Sequence, residues 1–177
     1  MWRFNIVVIR KFKKMVQQLK ETDEKYLRRC LELAKESVEA GDEAFGSVLV
    51  SADGKIIAEA RNRVNEKTIL AHPEIDLAYW AAENLSEEER ANTTMYTTGE
   101  HCPMCSAAHG WVGLGTLVYL SSAKQLGEWQ KKFNLPSAPI NFLPVEDIIK
   151  NIEVRGPADG DLLEEIKILH QTVWTKK

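Results

Sequence analysis

The sequence predicts an α/β fold, a three-layer α/β/α sandwich with a mixed five-stranded sheet, and three observations carry that expectation. Between residues 45 and 120, strand-like runs rich in β-branched residues alternate with stretches of helical periodicity. The first two runs flank Asp53-Gly54, a favoured tight-turn pair, so they form an antiparallel hairpin. From the second run onward the order is strand, helix, strand, helix, strand, which implies parallel pairing of the later strands through right-handed crossovers.

In chain order, the first helix is expected over Asp23 to Ala40. Thr22 suits its N-cap, Asp23 and Glu24 suit its positive end, and Gly41 can close it. Its apolar face is Leu27, Cys30, Leu31, Ala34 and Val38, which reads Cys30 as plain core. The hairpin strands are Phe45 to Ser51 and Ile56 to Arg61, and a loop over Asn62 to Ala71 follows. The second helix runs from Pro73 to Asn84 with Ile75, Ala78, Ala81, Ala82 and Leu85 inward. Thr93 to Thr98, β-branched and aromatic, should enter the sheet centrally. The third helix, Pro103 to Leu114, is rich in small residues that let helices approach closely; Gly115 ends it and Trp111 belongs to its packing face. Leu117 to Leu120 is the next strand, Ala123 to Phe133 is helical, Pro136 to Pro144 is a loop or short strand, and Asp161 to Trp174 is a closing helix.

At 177 residues the chain is one domain, large enough to bury a core without disulfide staples. Three cysteines make no disulfide framework, so a reducing, cytoplasmic compartment is expected. No segment reads as a secretion signal or membrane span. Residues 1 to 20 hold six Lys or Arg and no acid, whereas the remainder carries 17 basic and 26 acidic side chains, a net −9. Residues 1–20 therefore read as a basic extension, either an arm for nucleic acid or an amphipathic helix, ahead of a domain at 21–177. A body so acidic is poorly suited to gripping a phosphate backbone.

Two segments carry the chemistry, Ala71-His72-Pro73-Glu74 and Glu100-His101-Cys102-Pro103-Met104-Cys105. Proline in a first helical turn is pre-set for helical φ and lacks an N–H that would be orphaned there, so Pro73 and Pro103 both announce helix starts. His72 and Cys102 then fall near N-cap positions, and Cys105 on the first turn behind Cys102. One imidazole, two thiolates and a carboxylate match a zinc site with an open position and a proton carrier beside it. In parallel sheets the pocket lies beyond the carboxyl ends of the strands, where both segments are.

A His-x-Glu segment followed by Cys-x-x-Cys is the zinc deaminase signature. The chain resembles the cytidine deaminase-like superfamily, and within it the nucleobase deaminase branch that includes guanine deaminases and tRNA adenosine deaminases. The resemblance runs from about Asp42 to Leu120 through Gly41-Asp42-Glu43-Ala44-Phe45-Gly46, Asn62 and the two segments, and fades after Ser122. It departs at His101, where the family usually has Pro, and at Pro73, where it usually has Ala; neither removes a ligand, though His101 is open to lining the pocket or competing for metal.

The resemblance implies Zn²⁺ held by His72, Cys102 and Cys105, with Glu74 as proton shuttle rather than ligand. It also implies Asn62 as a base contact, against a turn role, and Phe45 as pocket wall, against core packing. His109, four residues past Cys105, is an alternative to His72 as ligand; Glu128 is either a second proton carrier or a solvated charge; His170 and Trp174 either cap a pocket or serve the core. A homodimer is implied as well. The leading expectation is zinc-dependent hydrolytic deamination of a free nucleobase, guanine or a related aminated purine or triazine. The alternatives are a tRNA-specific adenosine deaminase, with nucleic acid as partner, and a non-catalytic zinc or dithiol module.

Overall fold

In this computed structural model, which describes residues 18–175, a 3-10 turn at Glu21–Asp23 leads into α1, Glu24–Glu39. Thr22 lies inside that turn instead of capping the helix, because Asp23 is drawn inward. Its carboxylate accepts hydrogen bonds from Arg155 Nε and Nη2, both at 3.0 Å, and from Tyr96 Oη at 2.9 Å. Gly41, at φ +88°, closes the helix as expected. The buried face holds Leu27, Cys30, Leu31 and Ala34, joined by Tyr26 and Leu33, while Val38 is only partly covered. The basic extension falls, for residues 1–17, outside the described residues.

The hairpin strands are β1, Gly46–Val50, and β2, Ile56–Arg61. Their turn is longer than a two-residue Asp-Gly turn: the Gly54 N–H donates to Ser51 O and the Ser51 N–H to Lys55 O, both at 2.9 Å. Gly54 sits at φ +79° in this turn; farther along the ladder the register shifts between Leu49 and Val50, where Ile57 is the extra residue of a bulge.

Next come α2, Pro73–Asn84, a short α3, Glu87–Ala91, and β3, Thr94–Gly99. The inward face of α2 is Glu74, Leu77, Ala78 and Ala81; Ala82, expected inside, is exposed. The stripe is rotated by about one residue because it includes a carboxylate, which a purely apolar pattern leaves out. Helix α4, Pro103–Val112, stops at Gly113 (φ +76°) rather than Gly115. Gly115 has another task, since a Cβ there would lie 2.3 Å from Thr93 O and 2.6 Å from Ala91 O. Trp111 does not pack inward and is 91% exposed; α4 buries Cys105, Ser106 and His109 instead.

After β4, Thr116–Ser121, come α5, Ala123–Lys132, and an irregular stretch, then α6, Val145–Ile148, β5, Val154–Arg155, and α7, Gly160–Thr175. Ser122 caps α5 in a reciprocal box with Gln125. The two-residue β5 was not placed by sequence patterning, yet it supplies the fifth strand.

The sheet order is β2-β1-β3-β4-β5, with β1 antiparallel to both neighbours and β3, β4 and β5 parallel. The central position of β3 agrees with its composition. Alternate strand residues feed two cores, as the two-residue period of a pleated strand requires. Val48, Val50, Tyr96, Val118 and Leu120 face α1, α5 and α7, whereas Leu49, Met95, Leu117 and Tyr119 face α2, α4 and α6. Among the described residues no helix is long and apolar enough to cross a membrane.

Candidate metal centre and active-site pocket

Both ligand-bearing helices begin with extended N-cap residues followed by proline, His72 (φ −81°, ψ 144°) before α2 and Cys102 (φ −66°, ψ 164°) before α4. Packing of α2 against α4 brings these starts together. His72 Nδ1 lies 3.8 Å from Cys102 Sγ and 3.6 Å from Cys105 Sγ. Zinc–sulfur and zinc–nitrogen bonds of ordinary length, set tetrahedrally, place such donor atoms about 3.6 Å apart. The triad therefore fits zinc, and among the described residues it is the grouping able to hold a metal.

Electrostatics reinforce that fit. The Cys102 thiol is pulled down to about 4, first by a hydrogen bond from Cys105 and then by the His72 imidazole, against its burial. The same pairing, with burial and the nearby Glu74 carboxylate, pushes the Cys105 thiol up. Cys102 in turn raises His72. A divalent cation held by these donors would favour the thiolate form of both.

Glu74 is 5% exposed, and its two oxygens are engaged differently. The Thr97 hydroxyl donates to its Oε1 at 2.8 Å, and the Ser47 hydroxyl donates to Thr97 Oγ1 at 2.8 Å. Oε2 faces the metal triad, 3.6 Å from Cys105 Sγ. Burial raises the carboxyl's affinity for a proton, opposed by the His72 charge and the Thr97 hydrogen bond. A carboxyl whose proton affinity is raised by burial suits proton transfer.

A cavity of about 420 Å³ opens above this group, lined by His72, Glu74 and Cys102 at its base and by Phe45, Gln130 and Trp174 among its walls. Phe45 thus stands in the wall, 4.9 Å from the His170 ring, which stacks on Trp174. Trp174 contributes to the pocket lining while belonging to the buried core, and His170 is buried beside it.

Asn62 is buried and not among the lining residues; its Oδ1 accepts the Val64 N–H at 3.1 Å, which is a turn role. His109 does not turn toward the triad. Its Nε2 meets Gly115 O at 3.0 Å and its Nδ1 meets His101 Nε2 at 3.3 Å, so His101 neither lines the pocket nor joins the metal donors. Glu128 is exposed and outside the pocket. The wall residues Gln130, Leu135 and Phe142 escaped sequence reasoning because nothing local marks them; only the tertiary return of α5 and the loop after it brings them here.

Residues 20–121 match the family model described as the cytidine and deoxycytidylate deaminase zinc-binding region. The chain is 29% identical over 159 residues to a probable cytosine deaminase of Schizosaccharomyces pombe, covering 89% of this chain and 95% of the relative. It is 36% identical over 109 residues to the guanine deaminase of Bacillus subtilis, covering 59% of this chain and 68% of the relative. A structure from studies of A-to-I editing by tRNA:A34 deaminases superposes with a TM-score of 0.60 at 25% identity, covering 82% of this chain and 99% of that one.

Proposed function

Since the chain belongs to the zinc-binding cytidine and deoxycytidylate deaminase family, we propose that it hydrolytically deaminates a free nucleobase, guanine or a related aminated purine or triazine. The observation that carries this reading is Glu74, buried beside the metal triad at a pocket of about 420 Å³, with one carboxylate oxygen tied to Thr97 and the other turned toward the triad.

His72, Cys102 and Cys105 hold the zinc, which when bound supplies an acidified water able to attack a ring carbon. Glu74 Oε2 accepts the proton released in that attack and passes it to the ring nitrogen beside the carbon. It then takes the proton of the newly added hydroxyl and delivers it to the exocyclic nitrogen, so that the C=O forms, the C–N bond breaks and ammonia leaves. Thr97 keeps Oε1 in place, and one oxygen therefore does the shuttling. Phe45 provides a face for the ring. Asn62, buried outside the pocket lining, holds its turn through Oδ1 and is given no contact with the base in this reading.

The pocket's volume of about 420 Å³ supports a small substrate, and so does the acidic body. The basic character of residues 1–20 favours the second reading, a tRNA adenosine deaminase. Ammonia release by zinc-loaded protein, measured across guanine, adenine, cytosine, their nucleosides, aminated triazines and tRNA, separates the two. Release from a free base supports our reading. Release from tRNA alone, lost when residues 1–14 are removed, would replace it.

A homodimer accompanies this proposal. Helices α2 and α4 leave Tyr79 and Trp111 exposed, large rings that a second copy would cover.

A further inference from the structure

Gln130 has a side-chain amide that no other described group engages, yet it lies in the pocket wall. Its backbone is fixed from both directions: Ser122 caps the start of α5, and the neighbouring Trp129 is buried in the core beneath the helix. Several other polar groups of that wall are already committed. The two carboxylate oxygens of Glu100 accept the N–H groups of Ala123 (2.9 Å) and Val145 (3.2 Å). The Ser121 hydroxyl donates to Thr98 O, and the Ser122 hydroxyl is bound to Gln125. Phe45, Leu126, Leu135, Phe142 and Trp174 offer largely apolar surface. Ligand orientation in such a pocket rests on a few placed polar groups.

We infer that Gln130 is a specificity-determining residue that pairs its carboxamide with a lactam edge of the base, an adjacent ring N–H and C=O. The inference rests on the free-base reading above and deepens it. A carboxamide presents one acceptor and a donor side by side, the complement of a lactam. Guanine carries that edge at N1–H and C6=O, next to the carbon bearing the amine. Free cytosine carries it at N1–H and C2=O. Adenine has no lactam, and cytidine has lost the N–H to its glycosidic bond. The pocket thereby selects bases that are at once amidine and lactam.

The test uses zinc-loaded Glu74→Gln protein, in which binding is read without turnover. Calorimetry compares guanine with 2-aminopurine and cytosine with 4-aminopyrimidine, each second ligand lacking the lactam. Gln130→Met keeps the side chain's length and removes its hydrogen bonds. Loss of two such bonds should weaken the lactam ligand roughly 10- to 100-fold while leaving its partner nearly unchanged. In the otherwise wild-type enzyme the same loss should appear in KM more than in kcat. Equal weakening of both members of a pair, no weakening of either, or failure of all four to bind would each overturn the inference. Failure of the functional reading is seen separately, as wild-type protein that releases no ammonia from any free base.

Discussion

Residues 42–121 and residues 122–175 build the same pocket by different means. The first region places His72, Glu74, Cys102 and Cys105 through short local rules: a strand ends, an extended residue caps, a proline opens a helix. The second contributes Gln130, Leu135, Phe142 and Trp174 from a helix, an irregular stretch and the last helix, brought together only by packing. The family match stops at residue 121, where the second region begins. Chemistry needs fixed residue types at fixed spacing. Substrate choice needs only suitable surfaces that converge, and so the two regions should fail differently when altered.

The sharpest separation comes from Glu74→Gln. The metal triad keeps all three donors, so zinc content measured by emission spectroscopy should match wild type, while turnover falls by about 10²- to 10⁴-fold or more. A zinc-replete mutant with undiminished ammonia release would remove Glu74 from the mechanism, whereas loss of turnover with zinc retained excludes the non-catalytic alternative. Chelated protein should be equally silent and recover on adding zinc.

Asp23 ties the regions together, joining the start of α1 to Arg155 on β5 and Tyr96 on β3. Asp23→Asn leaves the Arg155 charge buried, with only the more exposed Glu153 beside it, and should cost about 3–5 kcal/mol in urea unfolding. The zinc ligands are untouched, so activity per folded molecule should hold. A loss under 1 kcal/mol would mean that the two regions do not depend on this ion pair.

Legibility in the sequence follows the same division. Proline-opened helix starts, the hairpin, the central β3 and the whole donor set were readable because each is encoded within a few residues. What escaped is set by distance. The two-residue β5 exists because Val154 and Arg155 pair with Leu117 and Val118, too short a run to carry a pattern. The inward face of α2 was misjudged because Glu74 occupies it, and Trp111 because an apolar residue says nothing of which side of α4 is covered.

The wall region also sets the acid response. Burial alone lowers His170 to about 3, against about 6.5 in an unfolded chain. Above pH 6.5 both states are neutral there and the group contributes nothing to the pH dependence. As pH falls from 6.5 toward 3, the unfolded state takes up a proton that the folded state refuses, and stability drops by up to about 1.4 kcal/mol per pH unit. Asp23, whose pKa lies below the ordinary carboxylate value because its hydrogen bonds outweigh its burial, adds its loss only below about pH 4. Replacing His170 by Phe should flatten the upper part of this acid limb; an unaltered limb between pH 6.5 and 4 would assign it to other groups, His101 and His109 among them.

The smallest effect on folding is expected at Trp111, which lies in the chemical region but takes no part in its core. Trp111→Ser should change monomer stability by no more than about 0.5 kcal/mol, since the ring is exposed already and its removal leaves no cavity. Its effect on assembly should be larger. If α2 and α4 meet a second copy through Tyr79 and Trp111, sedimentation of the mutant should move toward monomer at concentrations where wild type is dimeric. Turnover should fall little, because the metal donors, Glu74 and the pocket's lining residues all come from one chain. Identical sedimentation of the two proteins as dimers would place the interface elsewhere, and a monomeric wild type would remove the dimer from the proposal.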